Sequence, residues 1–289
     1  MNEHTILYQL EETSKFMMSF VIITKEDNAI IIDGGRPGDM PRLKEYVGGR
    51  TVKAWILTHA HDDHISGFID EIEKNGGADF NIEAVYHGIP PYADMEKLID
   101  KSPHPKYFKC EIDEMIPAFE KIAPTLGDKL IRVTQGDTVT VDECEIKFIY
   151  SYHEDLITNP MNDASLVFFI TTPDKKVLFL GDLGPEGGDV LLEENYGNLK
   201  ADIVQMAHHG HMNVGMEVYA EIAPEACLWC CRDWLYDEIP IPTYLADRKW
   251  QRSIGRGRMY GTTVTRKWMD ILGVKTHYVT KDGTNKIIL

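Results

Sequence analysis

Between Trp55 and Gly67 the chain reads Trp55-Ile56-Leu57-Thr58-His59-Ala60-His61-Asp62-Asp63-His64-Ile65-Ser66-Gly67. The apolar run Ala54 to Leu57 is a buried strand by pattern. It ends in three histidines and two aspartates within six positions, more polar side chain than a core can satisfy without a ligand. Side chains on an extended segment alternate, so His59 and His61 point the same way and can share one metal ion. Asp63 and His64 follow where Gly67 and the Ile69/Ile72 spacing start a helix, and they face a second ion. Read as a solvated turn, so dense a histidine cluster against a buried strand has no explanation.

HxHxDH after an apolar strand resembles the signature of the metallo-β-lactamase superfamily. The resemblance implies an α+β fold, a four-layer αβ/βα sandwich with a one- or two-metal site at the sheet edges. It also implies that Asp33, in the strand-ending Asp33-Gly34-Gly35, sits beneath the metals and orients nearby groups.

The whole chain, 289 residues with 43% hydrophobic content, is read as one hydrolase domain over 1–289, large enough for a substantial core. Its formal charge of −16 argues against a role in binding long polyanions, although Arg248, Lys249, Arg252, Arg256 and Arg258 cluster late in the chain. No basic leader with an apolar core and no long apolar run is present, so neither export nor a membrane span is expected. An odd number of cysteines, five, then favours a reducing cytoplasm. Cys227, Cys230 and Cys231 lie in an apolar strand without a partner pair at zinc-ribbon spacing and read as core.

Taken in order, Thr5–Gln9, Phe20–Thr24 and Ala29–Asp33 are meander strands, Met40–Val47 a helix, Val52–Leu57 the motif strand and Phe68–Lys74 a short amphipathic helix. Ala84–Tyr86 is a strand ending at His87, which lines the pocket at most. Residues 90–126 form a helical insertion, broken at Pro103-His104-Pro105, placed as a lid over the site. Val133–Val139 and Cys144–Tyr150 read as a hairpin; Ser165–Ile170 and Val177–Leu180 as the next pair.

Val177-Leu178-Phe179-Leu180-Gly181 delivers Asp182, which by the same resemblance is the carboxylate bridging both ions. Ala201–Ala207 delivers His208-His209-Gly210-His211. Because the strand stops on His208, that residue is assigned to the second ion with Asp63 and His64. His209 is the competitor, and could instead bond a substrate oxygen. The third ligand of the first ion stays open among His153, Asn162 and Asp163. Asn162-Asp163-Ala164-Ser165-Leu166-Val167 with His208-His209-Gly210 is similar to a narrower group, the soluble hydrolase portion of bacterial competence proteins and their stand-alone relatives. Leu272-Gly273-Val274, Thr276, Asp282-Gly283 and Ile287-Ile288 look like that group's closing strands. Segments 90–126 and 229–262 have no counterpart in it.

The expected chemistry is hydrolysis by a water shared between two divalent ions. The donors are nitrogen and oxygen, so zinc is expected first, with manganese or iron also allowed. Asp63 is read as both ligand and catalytic group, His153 or His209 as proton donor to the leaving group, and Asp62 as an outer residue only. The competence-protein resemblance points to a phosphodiester; the acidic charge favours a small phosphoester over nucleic acid. Trp229, Trp234, Tyr236, Tyr244 and Trp250 are either a pocket wall or ordinary packing, the latter more common. Alternatives are a thioester or lactone hydrolase on the same site, a di-iron oxidoreductase, and a metal-loaded protein without catalysis. The di-iron relatives carry an acid where this chain has His61, and an attached flavin domain.

Overall fold

The structure, a computed structural model, describes residues 2–13, 15, 17–237 and 261–289. The late basic cluster, Tyr244 and Trp250 lie outside the described residues.

Strands β1 (Ile6–Gln9), β2 (Ser19–Ile23) and β3 (Ala29–Asp33) form an antiparallel meander, followed by helix α1 (Met40–Val47) and β4 (Thr51–Leu57). Then come α2 (Asp62–Asn75), β5 (Asn81–Ile82), β6 (Val85–His87), helices α3 (Tyr92–Ile99) and α4 (Pro105–Leu126), and β7 (Leu130–Arg132). From β3 to β7 the pairing is parallel. The second half opens with β8 (Thr138–Val141) and β9 (Cys144–Tyr150). It continues through α5 (Pro160–Asp163), β10 (Val167–Thr171), β11 (Lys176–Phe179), α6 (Pro185–Asn195) and β12 (Ile203–Gln205). Helix α7 (Met216–Ile222), β13 (Ala226–Trp229), α8 (Asp233–Tyr236), α9 (Thr262–Leu272), β14 (Thr276–Val279) and β15 (Asn285–Ile288) complete it. One sheet has the order β15-β1-β2-β3-β4-β6-β7, with β5 beside β4; the other runs β14-β13-β12-β11-β10-β9-β8.

Strand periodicity builds the layers. Along β3, Ile30 and Ile32 face one way and Ile31 the other, because successive side chains alternate across a sheet. Ile30, Ile32 and Ile56 of the first sheet meet Phe148, Phe168 and Phe179 of the second in the central core. Ile31, Trp55 and Leu57 face outward onto Leu43, Phe68 and Ile112 of the first helical layer. Phe169, Leu178 and Val204 pack against Leu191, Tyr219 and Met269 of the second. With helices covering both outer faces, the inner strands β3, β12 and β13 are buried along their whole length, as parallel strands covered on both sides are. The result is a four-layer αβ/βα sandwich.

Helix α2 begins at Asp62, earlier than its apolar spacing alone marks, so the motif acids lie in its first turn. There they complement the positive end of the helix dipole. Helix α4 runs on through Pro117 and Pro124, held by a buried face of Ile112, Met115, Ile116 and Phe119. All five cysteines are free; four are buried and Cys110 is exposed. Trp229 is fully buried in the outer core of the second sheet, with Tyr236 edge-on at 5.4 Å. Trp234 and Tyr236 are half-buried against the same cluster, so the described aromatics of that segment are packing. Among the described residues no helix is long and apolar enough to cross a membrane.

Candidate metal centre

The carboxyl ends of β3 and β4 in one sheet, and of β11 and β12 in the other, open onto the same edge. Open α/β sheets bind ligands at this end of their strands. His61 closes the strand side of the turn in extended conformation (φ −90°, ψ 156°) and caps α2. His59 and His61 therefore converge, with His59 Nε2 3.0 Å from His61 Nδ1. Asp63 and His64, on the first helical turn, face inward beside them.

Asp33 fixes this half of the site. It sits at φ +53°, a left-handed conformation that aspartate tolerates better than most residues. Its carboxylate accepts from Thr58 N at 2.8 Å and Thr58 Oγ1 at 2.7 Å. It also accepts from His64 Nδ1 at 2.7 Å. That contact holds the proton on Nδ1 and leaves His64 Nε2 to face Asp182 Oδ1 at 3.3 Å. A carboxylate behind a ligating histidine sets its tautomer and orientation. The role expected of Asp33 is thus supported by its geometry.

In the other half, Gly181 (φ +55°) turns the chain after β11; a Cβ there would lie 2.9 Å from Ser165. Ser165 Oγ accepts from Asp182 N at 3.0 Å, which seats the aspartate. Strand β12 stops at Gln205, before the histidines. His208 and His209 follow at φ +48° and +55°, two consecutive left-handed residues without glycine. Such backbone costs roughly 1–2 kcal/mol per residue and clusters at functional sites. The turn breaks the alternation that made His208 the expected partner of Asp63. It is His209 whose Nε2 lies 3.1 Å from Asp63 and 3.4 Å from Asp182. Its Nδ1 donates to the Cys230 carbonyl at 2.7 Å, so Nε2 is free of the proton on that tautomer. His208 turns to the other side, with Nε2 3.3 Å from Asn162 Nδ2 and 4.0 Å from Asp182.

The structure thus gathers two groups whose ligand atoms lie within 4.8 Å of one another: His59, His64 and Asp182, and Asp63, His64 and His209. All five residues are buried. Burial opposes ionisation of Asp63 and Asp182, but His64 and His209 beside them hold both carboxyls below the usual range. Burial pushes the His59 imidazole down, with the neighbouring His64 adding to the effect. Asn162 Oδ1 is buried with no hydrogen-bond partner among the described residues. Paired carboxylates, inward imidazoles set by outer acceptors, and an unsatisfied amide oxygen suit a cation of borderline or hard character.

The remaining residues separate. Asp163 accepts from Gly184 N and Gly187 N at 3.1 Å each. It thereby caps α6 while its neighbour Asn162 faces the histidines, so of these two Asn162 is the one at the site. His153 follows β9 on a loop that carries it toward α6; it stacks on Tyr150 at 5.0 Å and faces Glu194 at 3.9 Å. It is not gathered with the cluster. His209, also expected as a proton donor, is 1% exposed and sits between the carboxylates. Asp62 points outward and pairs with Arg36 at 3.0 Å. His87 is buried against Phe119 of α4, their ring centres 5.0 Å apart. One site residue no sequence pattern marks: Glu111 of α4, whose Oε2 lies 3.4 Å from His61 Nε2. An acid on an amphipathic helix looks like any solvated residue until the helix is placed.

The comparisons agree with this architecture. Residues 17–140 match the family model described as Metallo-beta-lactamase superfamily. No curated protein matches the chain in sequence. Among solved structures, the metallo-beta-lactamase fold protein YhfI from Bacillus subtilis aligns at TM-score 0.56 and 13% identity, covering 98% of this chain and 100% of that one. CmlA, a diiron beta-hydroxylase from Streptomyces venezuelae, aligns at TM-score 0.54 and 12% identity, covering all of this chain but 55% of its own length. At such identities the likeness is one of fold. Residues 17–140 thus match the metallo-β-lactamase superfamily model, and the described residues of the chain share the fold of that superfamily's solved structures.

Proposed function

We propose that this chain is a dinuclear metal-dependent hydrolase. The observation that carries the reading is the convergence of two His/Asp groups, from three strand ends in two sheets, on one buried edge. His59, His61 and Asp182 would hold one ion, with Asn162 or His208 beside it. Asp63, His64, His209 and Asp182 would hold the other. Ions held there supply a water of lowered pKa and steady the charge developing on a substrate oxygen. Asp33 and the Cys230 carbonyl keep His64 and His209 in the tautomer that presents Nε2. The sandwich excludes bulk water from the inner side. His208, whose side chain is 12% exposed, is the imidazole placed to meet substrate at the rim. Zinc is the first expectation for both positions, with manganese or iron open to the same donors.

For substrate we propose a small phosphoester or phosphodiester. The support is the Asn162-to-Val167 pattern paired with His208-His209-Gly210; the −16 charge turns the preference away from nucleic acid. Oxygen chemistry at two irons is a second reading, suggested by the fold shared with 55% of CmlA, a diiron beta-hydroxylase, though His61 stands where the di-iron relatives carry an acid. Metal analysis should return about two ions per chain, and protein that stays metal-free on reconstitution would end both readings. Protein loaded with zinc, manganese or iron would then be offered bis(p-nitrophenyl) phosphate, a thioester, a lactone and a cephalosporin. Turnover of the phosphodiester is the expected result. Turnover of the thioester or lactone alone moves the substrate class, and reductant-dependent oxygen uptake with iron alone selects the second reading.

A further inference from the structure

The insertion made of α3 and α4 has no role in the chemistry described so far, yet one of its side chains reaches the site. Within the histidine pair, His61 uses its two nitrogens differently. Nδ1 lies 3.0 Å from His59 Nε2, on the inward side where the two imidazoles converge. Nε2 faces outward onto Glu111 Oε2 at 3.4 Å. Glu111 is itself held: Tyr107, one turn earlier on α4, hydrogen-bonds to it. The helix that carries both is tied down at several points. Its apolar face is buried with α2 and β4 in one core. Lys121 reaches Glu73 of α2 at 2.9 Å. Glu120 accepts from the Tyr92 backbone N–H at 2.9 Å, and Tyr92 Oη donates to Asp113 at 2.6 Å. Glu111 is therefore presented by a braced helix.

We infer that Glu111 is a positioning residue for the first ion: it takes the Nε2 proton of His61, fixes the ring, and so offers Nδ1 to the metal. This rests on the dinuclear reading above. The chemistry is that of any histidine ligand, which donates its second ring N–H to an acceptor that sets tautomer and orientation. His64 has Asp33 and His209 has the Cys230 carbonyl in that role. His61 has Glu111, and it alone of the three draws its partner from the insertion. The insertion thus bears on the metal centre through one hydrogen bond, and loosening α4 loosens one ion.

The test is cobalt titration of the metal-free full chain, read by visible absorption, for wild type and Glu111→Gln. Wild type should bind two ions. E111Q should bind one of them 10- to 100-fold more weakly, about the usual effect of losing such a partner, and the other unchanged. Its absorption at saturation should keep the wild-type band positions, because the ligand atoms are the same. Equal affinity for both ions would overturn the inference, as would equal weakening of both. A shifted band in E111Q would overturn it differently, making Glu111 a ligand in its own right. Should E111Q fail to fold, Tyr107→Phe releases Glu111 and should weaken the same ion by a smaller factor; unchanged binding there would count against the proposal. If wild type binds no metal, the dinuclear reading itself has failed, a result distinct from any of these.

Discussion

The two halves of the molecule deliver their site residues by different means. In the first half a strand runs straight into a helix, and His59, His61, Asp63 and His64 follow from ordinary strand and helix geometry. In the second half each residue comes off a turn of left-handed backbone, at Gly181 for Asp182 and at His208-His209 for the last imidazole. Regular geometry makes the first contribution compact in sequence, with Asp33 of β3 bracing it through Thr58 and His64. The second depends on tertiary contacts, among them Ser165 on Asp182 and the Cys230 carbonyl on His209. The family match divides at the same place: it ends at residue 140, before any of these second-half residues.

The sharpest way to break the comparison is to remove the residue both halves share. Asp182→Ala should strip both ions and abolish turnover while leaving the circular dichroism spectrum intact; two ions retained would mean the halves do not meet at Asp182. Next is the left-handed turn. His209→Ala should weaken one ion by more than about 100-fold, beyond the loss of an outer partner, whereas His208→Ala should keep both and lose rate. The reverse ranking by metal titration would restore the strand-end assignment of His208.

A smaller effect concerns the first half alone. Burial, with Arg132 nearby, pushes the His87 imidazole down to about 4. The unfolded chain, with an ordinary value near 6.5, binds a proton that the folded chain refuses between those limits. Stability is therefore full above about pH 6.5 and falls as pH drops toward 4, by about 3 kcal/mol in all. His87→Phe should make that acid limb shallower in urea titrations across pH 4 to 7, leaving the share of the likewise depressed His59 and His208. An unchanged limb would place the acid sensitivity elsewhere. Last, His153→Ala should leave turnover and metal content within about twofold of wild type, since the ring meets Tyr150 and Glu194 rather than the cluster.

These expectations also measure what the sequence discloses. The layers are legible because the strands alternate or run apolar, and the candidate ligands His59, His61, Asp63 and His64 because strand and helix periods fix where side chains point. Asp182 was found through resemblance, as an apolar strand ending in Gly-Asp is common by itself. Period-two counting favours His208 over His209 because it assumes extended backbone, and the chain leaves that conformation after Met206. His153 drew attention by residue type, although its loop turns it to α6. Asp163 looked like a ligand until α6 supplied two backbone N–H groups for it to cap. Glu111 stayed hidden because nothing local says which way α4 lies.

The tandem left-handed histidines carry a consequence for anyone selecting variants of this protein. Glycine at 208 or 209 would relieve backbone strain of roughly 1–2 kcal/mol per residue, and each such change deletes an imidazole. A screen for thermal robustness alone should therefore enrich glycine at this turn and return sturdier proteins that have gone silent, a trade-off between stability and activity that the backbone angles foretell.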